Sequence, residues 1–121
     1  MIRTRFVSSA LAIAAVGSAL VPASAAAIPY QRWAQAPNNT AGVVFHPYGD
    51  KFEIWDNYDD GSGAYVLYRY AGSRNWHRGG SAPDQGHRLV NLNLREHRTI
   101  IFHVSTAGPD SNDSRFRTSG R

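Results

Sequence analysis

The chain has 121 residues, with thirteen lysines or arginines against nine aspartates or glutamates and no cysteine. That length admits one small domain and leaves no room for two independent cores. The missing thiols exclude a disulfide framework, a thiolate metal site and a cysteine nucleophile.

Residues 1–27 carry the three parts of a secretory signal peptide. Arg3 and Arg5 open it, an apolar run from Phe6 to Val21 follows, and the helix-breaking Pro22 precedes small residues. Ala23 with Ala25, or Ala25 with Ala27, supplies the small pair a signal peptidase needs, placing the cut before Ala26 or before Ile28. The apolar run is shorter than the ~20 residues of a membrane-spanning helix. The expected product is therefore secreted, with no stable membrane anchor after cleavage. Beyond the leader the charge is uneven. Residues 28–60 hold Arg32 and Lys51 against Asp50, Glu53, Asp56, Asp59 and Asp60, whereas residues 61–121 hold nine arginines against Asp84, Glu96, Asp110 and Asp113.

Residues 28–41, with Pro29, Pro37 and the polar run Asn38-Asn39-Thr40, read as an N-terminal arm that Tyr30 and Trp33 can dock. Five segments with strand character follow. Residues 42–46 (GVVFH) and 51–56 (KFEIWD) flank Pro47-Tyr48-Gly49-Asp50 and predict a hairpin, with Phe52 and Ile54 on one face and Lys51, Glu53 and Trp55 on the other. Asp60-Gly61 marks the next reversal. Residues 64–70 (AYVLYRY) set Val66, Tyr68 and Tyr70 against Tyr65 and Leu67. Residues 72–86 read as a long loop. Residues 88–94 place Val90, Leu92 and Leu94 inward, and residues 98–105 alternate Ile100, Phe102 and Val104 with Ile101 and His103. Residues 107–121 read as a flexible polar tail. The apolar period is two throughout and never near 3.6. The expectation is an all-β domain over residues 42–106, a small antiparallel sandwich or partly open barrel of five or six strands, with most of its aromatic side chains in the core.

Val44-Phe45-His46-Pro47-Tyr48-Gly49-Asp50-Lys51-Phe52, running on to Asp56 and then Asp60-Gly61, resembles small secreted proteins of actinobacteria. So does Asn91-Leu92-Asn93-Leu94-Arg95-Glu96 leading into a β-branched strand. The resemblance implies an exported β fold from a Gram-positive source and carries no catalytic residues. Relatives that contain cysteines are expected to staple themselves, and this chain departs from that pattern.

The chemistry-bearing residues point in few directions. Asp56, Asp59 and Asp60 echo a calcium loop, but Tyr58 and Leu67 stand where an EF-hand needs oxygen ligands, so solvated turn carboxylates fit the spacing better than a loose calcium site. His46, His77, His87, His97 and His103 lack the spacing of a catalytic zinc set. No GxSxG elbow occurs, and the clustered acids lie on turns with little room for a substrate cleft. No cofactor, no metal and no enzymatic activity are expected. The role expected is an extracellular binding or interaction module. One specific form is capture of an anionic extracellular polymer (cell-wall or acidic polysaccharide, or nucleic acid) by Arg74, Trp76 and Arg78, because guanidinium groups pair with oxyanions and indoles stack on sugars or bases. Against it stands the plainer reading, in which the arginines solubilise and Trp76 caps the core. A further form is inhibition of a secreted hydrolase by a loop on a rigid β scaffold, for which no bait residue stands out.

Overall fold

The computed structural model describes residues 28–119, so the signal peptide expected at residues 1–27 lies outside the described residues. Strands β1 (Trp33–Gln35), β2 (Ala41–His46), β3 (Lys51–Asp56), β4 (Ala64–Tyr70), β5 (His77–Ala82), β6 (His87–Asn91), β7 (Thr99–Ser105) and β8 (Ser114–Arg117) build an all-β sandwich. Two four-stranded sheets run in the orders β1-β2-β3-β6 and β5-β4-β7-β8, with every strand pair antiparallel. Among the described residues no helix is long and apolar enough to cross a membrane.

The core follows from the period of two. Val43 and Phe45 of β2, Phe52 and Ile54 of β3, Val66 of β4, and Ile100, Phe102 and Val104 of β7 are all fully buried between the sheets. Phe102 meets Phe45 at 6.2 Å and Phe52 at 5.7 Å between ring centroids, and Phe45 meets Phe52 at 5.3 Å. Such tilted ring pairs add roughly 0.5–1.5 kcal/mol each beyond the area they bury. The other aromatic residues do not fill the core as their number suggests. Tyr68 and Tyr70 pack at its margin, while Tyr48, Tyr58 and Trp76 are exposed because they stand on turns.

Three strands lie where the sequence predicts none. β1 sits inside the expected arm, pairing Ala34 with Val43 and burying it. Tyr30 also docks, by a bridge to Arg115 and a 4.7 Å stack on Phe116. β5 sits inside the expected loop. Its Gly79-Gly80 pair reads as a strand breaker, yet a Cβ at Gly79 would stand 3.0 Å from Phe52 and Val66, and one at Gly80 would meet Val90 at 2.6 Å. The strand passes over the core because those two side chains are missing. β8 sits inside the expected tail, with Ser114 and Phe116 turned inward and Arg115 and Arg117 outward. A single apolar side chain is enough because β8 closes the sheet, with β7 along one edge and only the short 29–31 segment along the other.

The turn between β2 and β3 carries more than a reversal. Asp50 takes a left-handed φ of 53° and is buried; its Oδ2 accepts the Leu94 N–H at 3.1 Å and its carbonyl accepts the Leu92 N–H at 2.8 Å. The hairpin tip thereby holds the segment after β6, which leaves the sheet at Asn91 and still buries Leu94.

Two stability measurements check this account. Phe102→Ala is expected to cost about 3–5 kcal/mol in denaturant unfolding, the range for emptying an aromatic site in a packed core. Asp50→Ala is expected to cost about 1–3 kcal/mol by orphaning a buried N–H. Asp50→Asn, which keeps an acceptor and tolerates the left-handed φ, should recover most of that loss.

Candidate functional site

Alternation decides what the second sheet shows to solvent. With Val66, Tyr68, Phe102, Val104 and Phe116 directed inward, Tyr65, Leu67 and Arg69 of β4, Ile101 and His103 of β7, and Arg115 and Arg117 of β8 face out, although Ile101 itself is buried. The register sets Arg69, Ile101 and Arg115 side by side in one row, and Arg78, Leu67 and His103 in the next. The expected binding residues join this face in two ways. Arg74 and Trp76 lie on the β4–β5 loop and, with Arg69, line a shallow cavity of about 450 Å³. Arg78 stands on β5 itself, apart from that cavity, with its guanidinium 3.9 Å over the Tyr65 ring. Trp76 does not cap the core. It is 41% exposed, meets the His103 ring edge-on at 4.9 Å, and carries the Arg69 guanidinium 5.1 Å from its centroid.

The arginines share a pattern. Arg69 donates from Nη1 to the Ser73 carbonyl at 3.0 Å, Arg115 lies over Tyr30 at 5.4 Å, and Arg95 and Arg98 lie over Tyr70 at 5.2 and 5.3 Å. Among the described residues no arginine forms an ion pair with a carboxylate; every carboxylate pair uses a histidine. The guanidinium charges of Arg69, Arg78, Arg95, Arg98 and Arg115 are thus held on aromatic rings with no carboxylate partner among the described residues, leaving planar N–H edges for an incoming oxyanion. Arg115 and Arg117 belong to this surface although a tail reading hides them. The alternation Ser114-Arg115-Phe116-Arg117 is the signal that could have placed them.

The outer face of the first sheet carries a different cluster. Glu53 stands between His46, whose Nε2 is 3.0 Å from Oε1, and His87, whose Nε2 is 2.9 Å from Oε2. A carboxylate only accepts, so both imidazoles carry their proton on Nε2. Hydrogen bonds from His46 and then His87 hold the Glu53 carboxyl below its ordinary range, against a smaller opposing effect of burial. All three side chains are more than a third exposed, so solvent screens the pairing. His103 lies on the opposite sheet with Nδ1 3.0 Å from Asp113 Oδ1, a close approach that misses hydrogen-bond alignment. The histidines therefore do not converge on one point.

The acidic turn residues converge in part. Asp56 and Asp60 come together with Asp84, their carboxylate oxygens within 4.8 Å of one another, while Asp59 stays out of the group. Backbone donors account for much of this arrangement. Asp56 Oδ1 accepts the Tyr58 N–H, and Asp84 accepts those of Asp60 and Gly61. The cluster pins the β3–β4 link against the β5–β6 loop.

Comparison with known protein families, with curated proteins and with solved structures finds no match.

The Glu53 cluster gives a signed pH dependence. A folded-state carboxyl pKa below the ordinary 4.5 contributes stability that is fully present above that value and is lost as pH falls through the folded pKa. Thermal melts between pH 6 and pH 2 should therefore fall more steeply for the native chain than for Glu53→Gln. Parallel acid limbs would contradict the pairing.

Proposed function

We propose that the chain is an exported binding module that holds an anionic extracellular polymer on the outer face of the second sheet. The observation that carries this reading is the set of arginines gathered on and around one sheet face, stacked on rings and paired with no carboxylate among the described residues. A guanidinium already lying on a ring has lost part of its side-chain freedom before the ligand arrives, and its edge donors match sulfate, phosphate or carboxylate oxygens in pairs. Spacing supports a polymer over a single ion. The register distributes Arg69, Arg78, Arg115 and Arg117 over three of the sheet's four strands, β4, β5 and β8, so one chain of repeating anions can touch several of them at once. Secretion is part of the proposal and rests on Arg3, Arg5, the apolar run to Val21 and the small residues around Ala25.

The test is retention on immobilised heparin under a salt gradient. Arg74, Arg78 and Arg117 are exposed and their side chains hold no hydrogen bond among the described residues, so replacing them together with alanine gives up the Arg78–Tyr65 ring contact and keeps the sheets intact. The native protein should elute well after a neutral control of equal size, in a salt-dependent manner, and the triple variant should elute close to that control. Native protein that co-elutes with the control, or a triple variant that elutes with the native protein, overturns the reading.

A further inference from the structure

We infer that the polymer is a polysaccharide, and that one or more of its sugar rings sit in the cleft between the β1 edge of the first sheet and the β8 edge of the second. The inference rests on the preceding proposal for the polymer's charge, but the chemistry of the cleft stands on its own residues. The cleft measures about 720 Å³, within the roughly 300–1,000 Å³ typical of ligand sites, and Gln31, Trp33, Gln35, Asn112 and Asp113 line its polar part. Trp33 is 50% exposed there, a large apolar ring left in water at the wall of a concave site.

The hydrogen-bond inventory of the cleft defines what it can take. Gln31 Nε2 donates to the Trp33 carbonyl at 3.2 Å and to Ser114 Oγ at 3.1 Å, and Ser114 Oγ donates to that same carbonyl at 2.7 Å. A carbonyl cannot donate, so the Gln31 amide is fixed with its NH₂ toward the wall, and its Oε1 accepts nothing among the described residues. Gln35 likewise spends Nε2 on Asn39 Oδ1 at 2.6 Å and leaves Oε1 unengaged among the described residues. Among those residues the Asn112 amide has no side-chain partner, and Asp113 uses only Oδ1 toward His103. The lining thus offers amide acceptors together with the remaining N–H groups of Gln35 and Asn112, holds one negative charge and no positive one, and lies beside an exposed indole.

That set discriminates between ligand classes. Phosphate or sulfate brings further acceptors and repels Asp113. An apolar ligand would strand the amide oxygens away from water. A sugar hydroxyl turns to donate wherever it meets an acceptor, and the C–H face of a pyranose lies flat on an indole. The charged substituents have their own place nearby, because Asp113 contacts His103 and His103 contacts Trp76 beside Arg69 and Arg74. One saccharide chain can therefore place a neutral ring in the cleft and its anionic groups over the arginines.

The experiment titrates the purified protein with neutral cellohexaose, chitohexaose and mannohexaose, followed by the Trp33 indole N–H resonance in the native chain and by calorimetry in the native chain and the variants alike. At least one of the three should shift that resonance in a saturable way. Trp33→Ala should weaken the binding at least tenfold and Trp33→Phe only partly. If none of the hexaoses moves Trp33, or Trp33→Ala binds unchanged, the saccharide assignment is overturned even where heparin retention persists. Binding at Trp33 without heparin retention upholds the cleft assignment and overturns the anionic reading instead.

Discussion

Phe102 crosses from the second sheet into ring contact with Phe45 and Phe52 of the first, and the rest of the molecule is organised around that meeting. Burying an aromatic side chain removes about 150–250 Å² from water, worth roughly 4–6 kcal/mol at most at the usual ~25 cal/mol per Å². Net stabilities of small domains are only about 5–15 kcal/mol. In a chain without disulfides, three such rings between the sheets have a share of the stability that nothing covalent replaces. They also determine register. Because successive side chains alternate, Phe52 inward means Glu53 outward, and Phe102 inward means His103 outward. A slip of one residue in either sheet would bury charges and dissolve both surface clusters.

Charge in this protein is sorted by partner type. Glu53 and Asp113 approach imidazoles, while Asp50, Asp56 and Asp84 accept backbone N–H groups at turns. These carboxylates are engaged without an arginine, and Arg69, Arg78, Arg95, Arg98 and Arg115 settle on tyrosine and tryptophan rings. Net charge alone conceals this arrangement. The small positive excess of residues 28–121 is spread unevenly, with Arg69, Arg78, Arg115 and Arg117 gathered on one sheet face where Asp110 and Asp113 lie against His103.

The strands legible in the sequence were those whose inward residues are large. β2, β3, β4 and β7 bury Val43, Phe45, Phe52, Ile54, Val66, Ile100, Phe102 and Val104, and their alternation is clear. β1, β5 and β8 turn inward Ala34, two glycines, and Ser114 with Phe116, which leaves almost no hydrophobic pattern to read. Those strands exist because the neighbouring sheet edge supplies hydrogen-bond partners and because the core has little room above Phe52 and Val90. Tertiary context overrides propensity in both cases. The same gap limited the candidate site. Arg74, Trp76 and Arg78 stood out in the sequence, but Arg115 and Arg117 join them only through β8, and the Glu53 pairing depends on a β6 neighbour thirty-four positions away.

The path of the chain through the two layers bears on how the sandwich can form. β3 leads across to β4, β5 leads back to β6, and β6 leads across again to β7, so β6 completes the first sheet only after two strands of the second have been laid down. Neither layer is a contiguous stretch that can assemble by itself. A nascent chain emerging N-terminus first holds the β1-β2-β3 meander with its apolar face uncovered until Phe102 is available. Assembly is thereby pushed toward a late, concerted step dominated by distant pairings, with the slow kinetics of high contact order.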